Sequence, residues 1–207
     1  MHVRTTTLRA DVAKIDEGIA HVRDQVRPAV TQIDGCIGMS MLVDRETGRS
    51  IAATAWESEE AMQGSAQTVQ PMRDEAVEGF GAGSSDVDAW EVAVVHRDHA
   101  APDGACARIT WFSGDPGLAD RAIDIYRMGV LPRIQELPGF CSASLMVNRE
   151  TGRAVGTVVF EAREHLEASR ESANRIREAA SRETAATIDE VAEFDVAFAH
   201  LHVPEMA

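Results

Sequence analysis

This chain of 207 residues contains one lysine, Lys14, and one tyrosine, Tyr126. It has three cysteines, Cys36, Cys106 and Cys141. A single tyrosine confines any tyrosyl chemistry to Tyr126. An odd number of cysteines at no metal-like spacing excludes a disulfide framework and reads as reduced thiols in a cytoplasm. Basic residues are scarce: 20 Lys and Arg stand against 34 Asp and Glu, a net charge of −14. That balance argues against a nucleic-acid binder, which needs a basic face to displace counterions from phosphates. It argues equally against docking on an anionic membrane. No apolar run reaches the roughly 18 residues that a membrane-spanning helix needs. The first residues, Met1 to Thr7, lack the apolar stretch of a secretory signal, so a cytoplasmic location is expected. Phosphate-loop, GxGxxG, GxSxG and CxxC patterns are all missing, and no dedicated metal or organic cofactor is expected.

What the chain does have is an internal repeat. Shifted by 104 residues, Arg45-Glu46-Thr47-Gly48-Arg49 falls on Arg149-Glu150-Thr151-Gly152-Arg153. The register holds without a gap: Arg4 meets Arg108, Pro28 meets Pro132, Gly35 meets Gly139 and His96 meets His200. Two copies are too few for a solenoid, which needs at least about three. They point to a duplicated domain or a fused dimer, with repeats at 1–104 and 105–207.

Each copy reads alike. Residues 3–9 and 107–112 suit strands, being rich in Thr, Val, Ile and Trp. Ile15, Ile19, Val22, Val26, Val30 and Ile33 then recur at helical steps, as do Ala119, Ile123, Tyr126, Val130, Ile134 and Leu137. Pro28 and Pro132 lie inside these helices and should kink them. A hairpin follows, turning at Gly48 and Gly152, with return strands 50–57 and 154–161. Second helices are expected over about 58–78 and 162–186, and last strands over 89–97 and 193–201. The order β-α-β-β-α-β is the ferredoxin-like unit, with both helices on one face of an antiparallel sheet. One unit leaves the other sheet face bare, and two can cover each other. The fold class predicted is therefore α+β: two tandem ferredoxin-like units, sheets face to face, forming a pseudo-dimeric α+β barrel within one chain. Further pairing of such chains into a homo-oligomer is open.

Two segments carry a family resemblance that extends to both halves. Trp56-Glu57-Ser58-Glu59-Glu60-Ala61-Met62 resembles the strand-to-helix signature of the antibiotic-biosynthesis-monooxygenase-like family. Leu137-Pro138-Gly139-Phe140-Cys141-Ser142-Ala143-Ser144-Leu145 resembles that family's passage from first helix to second strand. The resemblance implies a dimeric α+β barrel. It also implies a range of activities, from cofactor-independent quinone-forming monooxygenases and haem-degrading enzymes to proteins of no known activity, because a shared fold does not transfer a reaction. The family often has a His early in the second helix, where this chain has Ser65 and Ser169. His165 lies one turn earlier, and Ala61 is its counterpart. The first strands lack the Asn of the haem-degrading members.

Several residues are candidates for chemistry. His96 and His200 end the last strands on otherwise apolar faces. A neutral imidazole there could act as general base towards a phenol or enol, or simply cap a core edge. Neighbouring His99 and His202 raise the number of imidazoles per copy to two, short of the three or four ligands of a Zn or Fe site, so no metal site is expected. Arg4 and Arg108 on the first strands could clamp an anionic or carbonyl substrate, or form an ion pair with Glu57 or Glu161. Trp56, Trp111 and Tyr126 could line a substrate pocket or be plain core. Two functional readings stand. One is a cofactor-independent monooxygenase for a small phenolic or enolic substrate. The other is a non-catalytic barrel, binding a small ligand or stress-related.

Overall fold

A computed structural model describes residues 1–201, with side chains through Ala199. Among these residues there are eight strands: β1 (His2–Arg9), β2 (Cys36–Val43), β3 (Arg49–Trp56), β4 (Ser85–Arg97), β5 (Cys106–Ser113), β6 (Phe140–Asn148), β7 (Arg153–Phe160) and β8 (Thr187–Leu201). Their hydrogen-bonded order is β1-β3-β2-β8-β5-β7-β6-β4, closed into a barrel. The architecture is α+β, two ferredoxin-like repeats in the single-chain form of a dimeric α+β barrel.

Compactness divides the chain into two units. Among the described residues, one holds Met1–Trp90 and Asp195–Leu201, the other Glu91–Phe194. The last strand of each repeat runs from one unit into the next. Within the first unit β2 pairs antiparallel with the end of β8, Met41 opposite Phe198 and Val43 opposite Asp195. Within the second, β6 pairs with the end of β4, Ala143 opposite His96. The β2 edge and the β6 edge are therefore each covered by the last strand of the other repeat.

The first helix of each repeat is interrupted where its proline demanded it. In the first unit α1 (Ile15–His21) widens into a π-helical turn at Val22–Val26 before α2 (Arg27–Val30). In the second, α5 (Ala119–Ile125) does the same at Tyr126–Val130 before α6 (Leu131–Ile134). Pro28 and Pro132 cannot donate a backbone hydrogen bond, and their rings would strike the carbonyl four residues back; a wider turn relieves both. Second helices are split, into α3 (Glu59–Gly64) and α4 (Ala66–Gly79), and into α7 (Arg163–Ala168) and α8 (Arg170–Thr184).

The hairpin turns are closed by side chains. Asp44 accepts from the backbone of Glu46 and Thr47, and Asn148 from Glu150 and Thr151. Gly48 and Gly152 have φ of 76° and 70°. A Cβ on either would collide with a backbone oxygen, that of Ala10 or of Gly114. In each unit the helices cover one sheet face. Ile15, Ile19, Val30, Met39, Met41, Trp56 and Phe80 form the first core, and Val94, Ile123, Leu131, Phe140 and Leu145 the second.

Candidate functional site

Arg4 and Arg108 are where each site begins. Strand alternation turns both side chains towards the helices, and both are buried, 8% and 3% exposed. Arg4 Nη1 donates to Ser65 Oγ at 3.0 Å, and its Nη2 to the Met62 carbonyl. Arg108 repeats this, with Nη1 to Ser169 Oγ at 3.0 Å and Nη2 to the Leu166 carbonyl at 2.7 Å. The serine hydroxyls donate to the same carbonyls, at 2.7 and 2.8 Å. These bonds account for the split helices. The captured carbonyl is the one that would otherwise accept from the first residue of the next helix, so the backbone breaks at the serine. Each guanidinium also lies 5.8 Å from an aromatic ring, Arg4 over Trp56 and Arg108 over Phe160.

A cavity adjoins each arginine between helices and sheet. In the first unit it measures about 50 Å³, with Arg4, Val26, Val30, Met39, Arg73 and Phe80 in its wall. In the second it measures about 70 Å³, walled by Arg108, Thr110, Tyr126, Phe160, Ile176 and Arg177. Another second-unit cavity of about 90 Å³ has Phe112, Leu118, Tyr126 and Leu145 in its wall.

The expected ion pairs with Glu57 and Glu161 do not form. Arg108 is held instead by Glu193, at 2.9 Å from Nη2 and 3.2 Å from Nε. Glu161 lies near His99 and His165, at 3.3 and 3.5 Å. Glu193 is half-buried and takes a further bond from Arg170 at 2.8 Å. Burial pushes its carboxyl up, but the hydrogen bonds and charges of Arg170 and Arg108 outweigh this and hold it below the ordinary value. Arg4 has no carboxylate partner among the described residues. Burial, and then the charge of Arg73, pull its guanidinium below the ordinary value.

Comparison with known proteins places this geometry. Residues 1–76 match the model of the family described as antibiotic biosynthesis monooxygenase. An uncharacterized protein of Mycobacterium tuberculosis (strain ATCC 25618 / H37Rv) is 46% identical over 206 residues, 100% of this chain and 92% of that one. A second from the same strain is 46% identical over 207 residues, 100% of this chain and 87% of that one. The chain belongs to the antibiotic biosynthesis monooxygenase family. Solved structures share the fold at low identity. An anthrone oxidase-like protein superposes with a TM-score of 0.67 at 14% identity, covering 100% of this chain and 95% of its own. A candidate monooxygenase of Lactobacillus acidophilus NCFM gives 0.69 at 12% identity, covering 97% and 95%.

The remaining candidates of this family member fall around, rather than in, the cavities. Trp56 is fully buried beneath Arg4, and its Nε1 donates to Thr54 Oγ1 at 3.1 Å. Trp111 meets Phe194 edge to face at 6.4 Å and does not line the cavities described above. Tyr126 lines both second-unit cavities and donates to the Ser144 carbonyl at 3.3 Å; burial raises its phenol pKa well above the ordinary value. His96 is half-buried, stacked on Phe140 at 6.1 Å and hydrogen-bonded to Gln135. It too is absent from the walls of those three cavities. The side chain of His200, and His202, lie outside the described residues. Among the described residues no three His, Cys, Asp or Glu side chains converge as metal ligands, and no helix is long and apolar enough to cross a membrane. Cys141 is buried, and burial first, then Glu161 and Asp98, push its thiol up to about 11. It is a protonated core residue at neutral pH.

Sequence reasoning passed over Ser65, Ser169, Arg73 and Arg177 as site residues. The signal was there: all four recur at the 104-residue offset on helices where most other positions vary.

Proposed function

We propose that this protein oxidises a small phenolic or enolic substrate with O₂, without a metal or organic cofactor. The observation that carries the reading is a buried guanidinium in the wall of an apolar cavity, built the same way in both units. Reaction with O₂ requires the substrate anion, the better electron donor. A guanidinium beside the substrate oxygen favours that anion, as a nearby positive charge lowers any acid's pKa. In the overall step a ring-flanked CH₂ becomes C=O. One oxygen atom enters the carbon, and the other leaves with the two hydrogens as water, balancing four electrons. Arg4 or Arg108 would orient the oxyanion, with Tyr126 beside it if the site is in the second unit. Trp56 supports Arg4 from beneath and Trp111 lies further out. His96 and His200 are the side-chain bases of this reading. With the anion stabilised, water can also take the proton.

Anthrone tests it. Oxygen uptake with stoichiometric anthraquinone should exceed the buffer rate, and Arg4→Met with Arg108→Met should lower kcat/KM at least tenfold. His96→Ala with His200→Ala should lower it only if imidazole is the base. Uptake no faster than in buffer, for anthrone and for simple naphthols, would end the oxygenase reading. The second reading, a ligand-binding barrel without turnover, would then hold. One feature favours it: no histidine or carboxylate lines the cavities beside Arg4 and Arg108.

A further inference from the structure

The repeats agree on the arginine, the serine and the captured carbonyl, and disagree on the counter-charge. In the second unit Glu193 binds Arg108 and Arg170, with Arg163 at 3.9 Å. At the aligned positions the first unit has Ala89 for Glu193, Ala66 for Arg170 and Glu59 for Arg163. Glu59 does not replace the missing acid: it is exposed, and its ion-pair neighbour is His2 at 4.0 Å. The first-unit cavity therefore has two guanidiniums in its wall, Arg4 and Arg73, and neither meets a carboxylate among the described residues. The rest of that wall is apolar or hydroxyl-bearing.

A charge withdrawn from water without a partner is costly, and the cost falls when an opposite charge is supplied. The second unit supplies it internally. The first leaves Arg4 in its cavity wall with no such acid among the described residues. We infer that the first-unit cavity binds a small carboxylate with an apolar body, and that the second-unit cavity, where Glu193 already pairs Arg108 and only Arg177 in the wall meets no carboxylate among the described residues, does not. The two guanidiniums suit a carboxylate, whose paired oxygens match their planar N–H forks. Val26, Val30, Met39 and Phe80 suit an aromatic or short aliphatic body. The inference rests on the cavities being ligand sites, and deepens that part of the proposed function by fixing which unit takes an anion. It does not require oxidation.

Calorimetric titration with benzoate, and with benzyl alcohol as its uncharged counterpart, tests this on the full chain. Wild-type protein should bind one benzoate. Ala89→Glu places the missing acid on exposed backbone and should weaken that binding at least tenfold, while leaving benzyl alcohol unchanged. Arg73→Gln should weaken benzoate binding in the same direction. Glu193→Gln should create a second benzoate site, raising the stoichiometry to two. Circular dichroism shows whether each variant is folded, and Arg73→Gln keeps the test independent of Glu193→Gln. Zero or two benzoates on the wild type, or an Ala89→Glu variant that binds as before, would overturn the inference. Benzyl alcohol binding without benzoate binding would overturn it while leaving the cavities as ligand sites. Benzoate binding without anthrone oxidation would uphold it while the oxygenase reading falls.

Discussion

At the scale of single residues, two arginines at the same place in a repeat have different electrostatic lives. Arg108 is balanced by Glu193, and Arg4 meets no carboxylate among the described residues. The balance has a pH signature. Glu193 titrates below its ordinary value of about 4.5 in the folded chain. A depressed carboxyl stabilises the fold above its unfolded pKa, and this contribution disappears as pH falls through the folded value. Acid unfolding should therefore be less steep below about pH 4.5 in Glu193→Gln than in wild type. At pH 7 the same variant should lose about 1–3 kcal/mol, because Arg108 is left buried without its acid. Urea unfolding across pH 3–7 checks both, and parallel pH profiles would refute the pairing as a stability term. Arg4 and Arg108 were legible in the sequence as arginines repeated on a strand. Glu193 was not, because its partner lies 85 residues away and no local pattern links them.

At the scale of elements, the second helix of each repeat breaks because a side chain from another element takes one of its carbonyls. Periodicity alone predicts a continuous helix over 58–78 and over 162–186, since the apolar spacing passes through Ser65 and Ser169 undisturbed. The break required a guanidinium from a strand 61 residues earlier. Removing one hydroxyl should be felt: Ser169→Ala deletes a buried acceptor for Arg108 and a donor to Leu166. It should cost about 1–3 kcal/mol, with a fall in Tm of roughly 2–10 °C for a chain of this size. Calorimetry measures it, and an unchanged Tm would show that the arginine alone holds the break. The first helices were better foretold. Pro28 and Pro132 announced a disturbance, although the sequence predicts a kink and the structure has a π-helical turn.

At the scale of the molecule, duplication and strand exchange belong together. The β2 edge and the β6 edge each need a partner strand, and it comes from the other repeat. A fragment of residues 1–104 would hold β1 to β4 and lack β8, leaving the β2 edge open. β4 of a second copy is the aligned counterpart of β8 and can take that place. The fragment should therefore sediment as a dimer or remain unfolded. A folded monomer in analytical ultracentrifugation would contradict the exchange.

The sequence by itself determined the α+β class, the two-fold repeat, the hairpin turns at Gly48 and Gly152, and the arginines on the first strands. Those features are local or periodic: a strand or helix pattern, a glycine where φ is positive, or a match at fixed offset. Tertiary structure alone decided which acid faces Arg108 and that none among the described residues faces Arg4. It alone placed Tyr126 in the cavity walls and left Trp56 beneath Arg4 in the core. Contacts between distant segments depend on how elements pack, and only packing brings a strand arginine within reach of a helix carbonyl and leaves space beside it.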